Sequence, residues 1–300
     1  MKIRRYAAFA VAGSFLFASC GSDEKADDTT TTAASSVTTP TSEGGTETTA
    51  AGAATDCPTV EDGVLSVVTS LPGPNFWGTD EASPDDIKTG IEYDMATAIA
   101  AACGLEMKVR NEPFDAIVAG QIGADSYDIA LSQVTITDER KEVVDFSVPY
   151  FKSDQGILVK TGAEVPDFAA LAGMTVGVQA GTTAEYYFLE DPAWALGSDA
   201  QSFPDLIAAF AALTAGQIDA VVIDTPISLG QAAVSDGALA VVGQISTGEE
   251  YGAIYPKGSA SGPVFDGIIQ GLVDDGTVPG FIAKYLGGDP STVPFIEVGS

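Results

Sequence analysis

Histidine is absent from this chain of 300 residues. That removes the commonest general base near neutral pH and the commonest zinc ligand. Cations are scarce, with 13 Lys plus Arg against 42 Asp plus Glu and a formal net charge of −29. Nucleic acid is thereby excluded as a partner, because phosphate binding needs clustered Lys and Arg. An anionic membrane surface would repel the body of the protein for the same reason. No segment beyond the N-terminus is long and apolar enough to span a bilayer. The sequence calls for no metal and no cofactor. Charged residues of either sign reach only 18%, so the surface must be rich in Thr, Ser, Gly and Ala. Apolar residues make up 45%, enough for a sizeable core in one large domain or two medium ones.

The N-terminus is organised differently from the rest. Lys2, Arg4 and Arg5 precede an apolar run from Tyr6 to Phe17, which predicts a signal peptide over residues 1–20. Its end, Phe17-Ala18-Ser19-Cys20, resembles the lipobox of bacterial lipoproteins, in which Cys20 would become the lipidated first residue. That pattern prefers Leu where Phe17 stands, and an ordinary cleaved signal with an incidental Cys20 is the alternative. Residues 21–56 are almost entirely Thr, Ala, Ser, Gly, Asp and Glu, without an aromatic. Such a segment cannot bury enough apolar surface to offset its chain entropy, and it reads as a disordered linker. The remaining cysteines, Cys57 and Cys103, lie 46 residues apart. They could form a disulfide in an exported protein. Alternatively, Cys103 is a core residue that continues the spacing of Met95 and Ile99 on one helical face.

From Cys57 onward strands and helices alternate. Strands are expected at 64–69, 105–110, 127–131, 174–179, 218–223, 239–242 and 251–255. Helices are expected at 91–103, 114–122, from about Thr182, at 204–216, from Pro226, and twice within 260–286. In the helix 204–216, Leu206, Ile207, Phe210 and Leu213 form the expected inward face. In 114–122 it is Ile117, Val118 and Ile122. Alternation of this kind implies βαβ units, an α/β fold and a mainly parallel sheet.

In open α/β sheets ligands bind beyond the C-terminal ends of the strands. Three such ends carry polar groups: Ser132-Gln133-Val134-Thr135-Ile136-Thr137 leading to Arg140, Gly181-Thr182-Thr183 at a helix start, and Asp224. Each has a plain structural reading. Thr182 or Thr183 can cap a helix, Asp224 can cap the helix begun by Pro226, and Arg140 among Asp138, Glu139 and Glu142 can be a solvated surface charge. Together they match a zwitterion. The planar fork of an arginine suits a carboxylate, free N–H groups at a helix start favour the same anion, and Asp224 suits an ammonium.

Residues 64–287 resemble the family 3 solute-binding proteins, which capture amino acids for ABC transporters. The resemblance rests on Gly90-Ile91-Glu92-Tyr93-Asp94-Met95-Ala96, Pro113-Phe114-Asp115-Ala116-Ile117 and the Thr135–Phe146 stretch. It continues in Val176-Gly177-Val178-Gln179-Ala180-Gly181-Thr182-Thr183-Ala184-Glu185, in Asp219-Ala220-Val221-Val222-Ile223-Asp224-Thr225-Pro226, and in the ending from Asp275-Gly276-Thr277 through Ala283-Lys284-Tyr285-Leu286-Gly287. It implies a type II periplasmic-binding-protein fold, two βα lobes joined by a two-strand hinge, with lobe 1 at 57–153 and 249–300 and lobe 2 at 154–248. It implies a monomer, tethered to the membrane through a lipid anchor only, that closes on a free amino acid and delivers it to ABC permease subunits.

The resemblance also assigns roles. Arg140 would grip the ligand carboxylate, helped by the Thr135 N–H and by Thr183. Asp224 would bind the ammonium with the Gln133 carbonyl and the Thr135 hydroxyl, and Phe114 would form an aromatic wall. Ser70 stands where binders of basic side chains often have Asp, which counts against Lys or Arg as ligand. Gly73 or Pro74 falls near the usual second aromatic, so Phe76 or Trp77 is expected to supply that wall, unless they are structural aromatics of the loop. Gln179 falls where some relatives carry a cation, which allows a polar neutral side chain. The alternatives on the same fold are a dehydratase-like enzyme, with Glu185 as candidate acid, and a binder of some other carboxylate.

Overall fold

The computed structural model describes residues 56–79, 83–192, 194 and 200–299. The expected signal segment 1–20 with Cys20, and the expected linker as far as residue 55, lie outside the described residues. Among the described residues no helix is long and apolar enough to cross a membrane.

The chain runs through β1 (Val64–Thr69), α1 (Ile91–Cys103), β2 (Glu106–Asn111), α2 (Phe114–Val118), β3 (Ile129–Ala130), α3 (Asp138–Val143) and β4 (Val144–Phe146). It then crosses along β5 (Phe151–Lys160) into β6 (Val176–Gln179), α4 (Thr183–Leu189), β7 (Gln201–Phe203), α5 (Leu206–Ala215), β8 (Ala220–Asp224) and α6 (Thr225–Val234). It returns along β9 (Leu239–Tyr251) to β10 (Ile254–Pro256), α7 (Gly262–Asp274) and α8 (Thr277–Tyr285). Two five-stranded sheets result, ordered β2-β1-β3-β10-β4 and β7-β6-β8-β5-β9. Each has three parallel strands at one end, β2-β1-β3 in the first and β7-β6-β8 in the second, continued by strands paired antiparallel. The central strands β1 and β8 are apolar and buried almost throughout, as strands covered on both faces must be. Each sheet with its helices forms one lobe of an α/β periplasmic-binding-protein fold.

Local sequence explains most boundaries. Helix α1 buries Ile91, Met95, Ile99 and Cys103 and ends at Gly104, whose φ of 67° lets its N–H reach the carbonyls of Ala100 and Ala101. Cys103 is both a core residue, 8% exposed, and the disulfide partner of Cys57, with Cα atoms 5.7 Å apart. The two readings of this cysteine are therefore compatible. Two expectations need correction. The helix expected over 114–122 stops at Val118, because Gly120 takes a φ of 65° and turns the chain, leaving Ile122 only half-buried. Ile207 is 49% exposed, because α5 buries Leu206, Ala209, Phe210 and Leu213 and the adjacent position must point outward.

The two crossings are β5 and β9, paired antiparallel from Phe151 opposite Tyr251 to Lys160 opposite Leu239. Their register breaks between Ser153 and Gln155. There the Asp154 carboxylate accepts the N–H groups of Thr247 at 2.9 Å and Gly248 at 3.1 Å, which satisfies the backbone that leaves the ladder. The strand expected at 239–242 is thus only the start of a 13-residue ribbon strand.

Candidate functional site

The loops after β3, β6 and β8, with the start of α2, converge on one cavity. It is lined by Ser70, Phe114, Gln133, Thr135, Arg140, Gln179, Thr183 and Asp224, all named from the sequence, and by apolar neighbours including Leu206, Ile223 and Ile227. Its volume of ≈ 20 Å³ has room for about one water. An outer groove of ≈ 670 Å³ shares Arg140, Thr182 and Thr183 with it and runs out between α2, α3 and α4. The lobes therefore touch over the inner site.

Arg140 sits at the centre of that contact. Its side chain is buried, and among the described residues it is the only buried cation. Nη1 donates to the Thr135 carbonyl at 2.7 Å in one lobe, and Nη2 donates to the Gly181 carbonyl at 2.8 Å in the other. Its guanidinium carbon lies 5.7 Å from the centre of the Phe114 ring. Burial lowers its pKa, while Glu249 and Asp224 oppose that change. The solvated reading of Arg140 is thereby set aside. Gly181 has to be glycine: its φ is 76°, and a Cβ there would lie 2.9 Å from the Asp115 Cα across the cleft.

Asp224 ends β8 and precedes α6 but does not cap that helix with its side chain. Its Oδ1 accepts Gln155 Nε2 at 2.6 Å, and its Oδ2 accepts the Tyr251 hydroxyl. Burial and the neighbouring Glu249 carboxylate raise its pKa. Glu249 is a residue that the sequence reading missed. It accepts the hydroxyl of Thr135 at 2.6 Å, the hydroxyl of Thr183 at 2.9 Å and Gln155 Nε2 at 3.0 Å, and it also accepts the Tyr187 hydroxyl. One amide of Gln155 thus bridges two buried carboxylates, and its Oε1 is buried without a hydrogen-bond partner. Two signals were available for these residues. Glu249 shares the inward, period-2 face of β9 with Tyr251, and Gln155 directly precedes the apolar run Gly156-Ile157-Leu158-Val159 of β5.

Gln133 adopts a φ of 51°, uncommon for a residue with a side chain. Glu92 holds it there. The Gln133 N–H donates to Glu92 Oε1 at 2.8 Å, and its Nε2 donates to Glu92 Oε2. The same carboxylate accepts Trp77 Nε1 at 2.7 Å and the Tyr150 hydroxyl. Burial pushes the Glu92 pKa up to about 7, against the pull of those four donors.

Phe76 and Trp77 do not line the cavity, which corrects the expectation that one of them forms its second wall. Both are 0% exposed. The Phe76 carbonyl accepts the N–H groups of Glu92 at 3.1 Å and Tyr93 at 3.2 Å, so the turn serves as the backbone cap of α1 and its rings are drawn inside. Gly90 makes that approach feasible, since a Cβ there would lie 2.2 Å from the Phe76 carbonyl oxygen. Phe76 then packs edge-on against Phe151 and Tyr251, with ring centres 5.2 and 5.8 Å away. Phe114 is the aromatic that remains at the cavity wall. Thr182 caps α4, accepting the Glu185 N–H at 3.1 Å, and Glu185 accepts the Gly181 N–H at 2.7 Å. Glu185, the acid an enzymatic reading would use, is thus a capping residue on the outer groove.

Comparison with known proteins agrees with this architecture. The family described as bacterial extracellular solute-binding proteins, family 3, matches residues 74–288. The L-cystine-binding protein TcyJ of Escherichia coli K12 is 32% identical over 210 residues, 68% of this chain and 77% of that protein. The arginine-binding protein ArgT of Corynebacterium glutamicum is 29% identical over 230 residues, 74% of each chain. Among solved structures, an ancestral arginine-binding protein bound to glutamine superposes with a TM-score of 0.67 at 31% identity. That match covers 76% of this chain and 100% of the other.

Proposed function

Because the chain belongs to the family 3 bacterial extracellular solute-binding proteins, we propose that it captures a free amino acid outside the cytoplasm and hands it to the permease of an ABC importer. The observation that carries this reading is the pairing of Arg140 with Asp224 at one inner cavity reached from both lobes. In the proposal the Arg140 fork meets the ligand carboxylate, with the N–H groups of Thr135 and Thr183 beside it. Asp224, the Gln133 carbonyl and the Thr135 hydroxyl meet the ammonium, and Phe114 covers the side chain. Ser70 and Gln179, neutral residues at the cavity wall, favour a polar or uncharged side chain. No residue has a catalytic role.

Capture proceeds by hinge closure. The inner cavity has room for about one water, so an amino acid enters only when the lobes part. The bonds from Arg140 to both lobes support an opening of this kind, because they are what must rearrange. The lobe boundaries of the proposal are 57–153 with 249–300, and 154–248. The ribbon β5 and β9 carries the hinge. Cys20 anchors the monomer through lipid, and the residues that follow tether it at the cell surface.

A thermal-shift screen over the twenty amino acids identifies the ligand, since a specific ligand raises the melting point with its concentration. Arg140→Ala is then expected to lose about 2–5 kcal/mol of binding, because the ligand carboxylate would be buried without a partner. Titration calorimetry measures the loss, and circular dichroism checks the fold. Near-normal affinity in this variant would sink the assignment.

A further inference from the structure

The cleft contains more negative charge than a zwitterion needs. A free amino acid balances one cation against one carboxylate, Arg140 against Asp224. Glu249 is a second buried carboxylate, 5% exposed, contributed by the returning strand β9. It takes the protons of two hydroxyls at the cavity, Thr135 Oγ1 at 2.6 Å and Thr183 Oγ1 at 2.9 Å. A threonine hydroxyl has a single proton, so both present lone pairs to the cavity and act there as acceptors. Gln155 adds to the same imbalance. Its Nε2 is spent on Asp224 and Glu249, with a longer contact of 3.3 Å to the Thr183 hydroxyl, and its buried Oε1 is an acceptor without a donor. Arg140 uses Nη1 and Nη2 on two backbone carbonyls. The cavity lined by Thr135, Arg140, Thr183 and Asp224 is thus backed by Glu249 and Gln155, which leaves one cation for two carboxylates at and behind its wall.

We propose that Glu249 is a specificity-determining residue that makes the cleft select by ligand charge, rejecting any amino acid that brings a second carboxylate. It acts in two ways. Its charge repels a further anion at short range in a dry site, and its hold on Thr135 and Thr183 removes the two donors that such an anion would use. Burial is the main cause of the raised pKa of Asp224, and Glu249 adds to it by the same repulsion acting within the protein. The proposal rests on amino-acid capture and adds the sign of the side chain it tolerates.

The test uses pairs of near-isosteric ligands that differ by one carboxylate: glutamine and glutamate, asparagine and aspartate. Calorimetric titrations are run on the wild type and on Glu249→Gln. In whichever pair binds, the wild type is expected to prefer the more positive member by about tenfold or more, and Glu249→Gln to compress that ratio by about tenfold. A purely structural Glu249 would weaken both members equally, and an unchanged ratio in the variant overturns the proposal. The wild type tests it independently of whether the variant folds, because tighter binding of the more negative member also overturns it. If neither L-cystine nor any of the twenty amino acids binds the wild type, the capture reading falls and this proposal with it. Binding with the wrong charge order removes this proposal alone.

Discussion

Glu92 and Asp224 are both buried acids whose pKa values burial raises, yet their surroundings are opposite. Four donors converge on Glu92: the Trp77 indole, the Gln133 N–H and amide, and the Tyr150 hydroxyl. Both its oxygens are occupied, and nothing about the arrangement asks for a ligand. Asp224 receives the Tyr251 hydroxyl and an amide that it shares with Glu249, and the nearby acid repels it. The first network is complete and fixes the shape of a loop. The second divides one amide between two carboxylates that repel each other and is improved by an incoming cation. Burial of a charge alone therefore does not mark a binding site. The deficit of partners does.

The largest effect that could break this comparison is expected at Glu92. Glu92→Ala leaves the two Gln133 donors and the Tyr150 hydroxyl unpaired, the Trp77 indole keeping the Leu131 carbonyl at 2.9 Å, and denaturant unfolding should show a loss of about 3–5 kcal/mol, as when one partner of a buried charged network is removed. If stability stays within ~1 kcal/mol of wild type, the scaffold role of Glu92 fails.

The disulfide belongs to the same scaffold, since Cys103 ends the helix on which Glu92 sits in the first turn. Cys57→Ser is expected to cost about 2–4 kcal/mol through freedom returned to the unfolded chain. Ligand affinity should stay within about threefold, because neither cysteine reaches the cavity. A large affinity change on reduction would mean that scaffold and cleft are coupled.

Both acids have pKa values raised to about 7, so pH acts on the two networks in the same direction and a variant is needed to isolate Glu92. Glu92 has a folded pKa of about 7 against an ordinary value of 4.5, so the folded state holds its proton more tightly than the unfolded state. Its contribution is full below about pH 4.5 and is lost as pH rises toward 7, by up to about 3 kcal/mol. Melting temperatures across that window should fall for the wild type, and more gently for Glu92→Gln. Equal slopes would remove Glu92 as the cause.

The smallest change in stability is expected at Asp224. Asp224→Asn relieves its repulsion with Glu249, so the ligand-free protein should stay within ~1 kcal/mol of wild type or gain slightly. Affinity for the amino acid should fall by about a hundredfold, from the lost partner of the ammonium. A variant that is strongly destabilised but still binds would invert the contrast between the two acids.

Much of this was legible in the chain because it is encoded locally. The apolar runs of β1 and β8, the spacing of Ile91, Met95 and Ile99, and the Gly181-Thr182-Thr183 turn each report on structure within a few residues. Arg140, Asp224 and Thr183 could be singled out because a polar residue at the end of an apolar strand stands out. Phe76 and Trp77 are expected at the cavity from sequence because position alone does not tell which side of a turn its rings occupy. That choice was made by the carbonyl of Phe76, which caps a helix starting 15 residues later, and by the lack of a Cβ at Gly90. Glu249 was passed over because its partners Thr135, Gln155 and Thr183 come from three other parts of the chain.

Composition and pattern, then, determined the class of the molecule: an acidic α/β protein without histidine, built from alternating strands and helices, with polar groups at strand ends. Those properties follow from side-chain periodicity and from the charge that each residue carries regardless of its neighbours. Tertiary structure decided which acid has its donors to itself and which two share one and repel each other. Hydrogen-bond satisfaction depends on atoms brought together from distant segments, and strand β9 places Glu249 against the two threonines only once the ribbon it forms with β5 has closed.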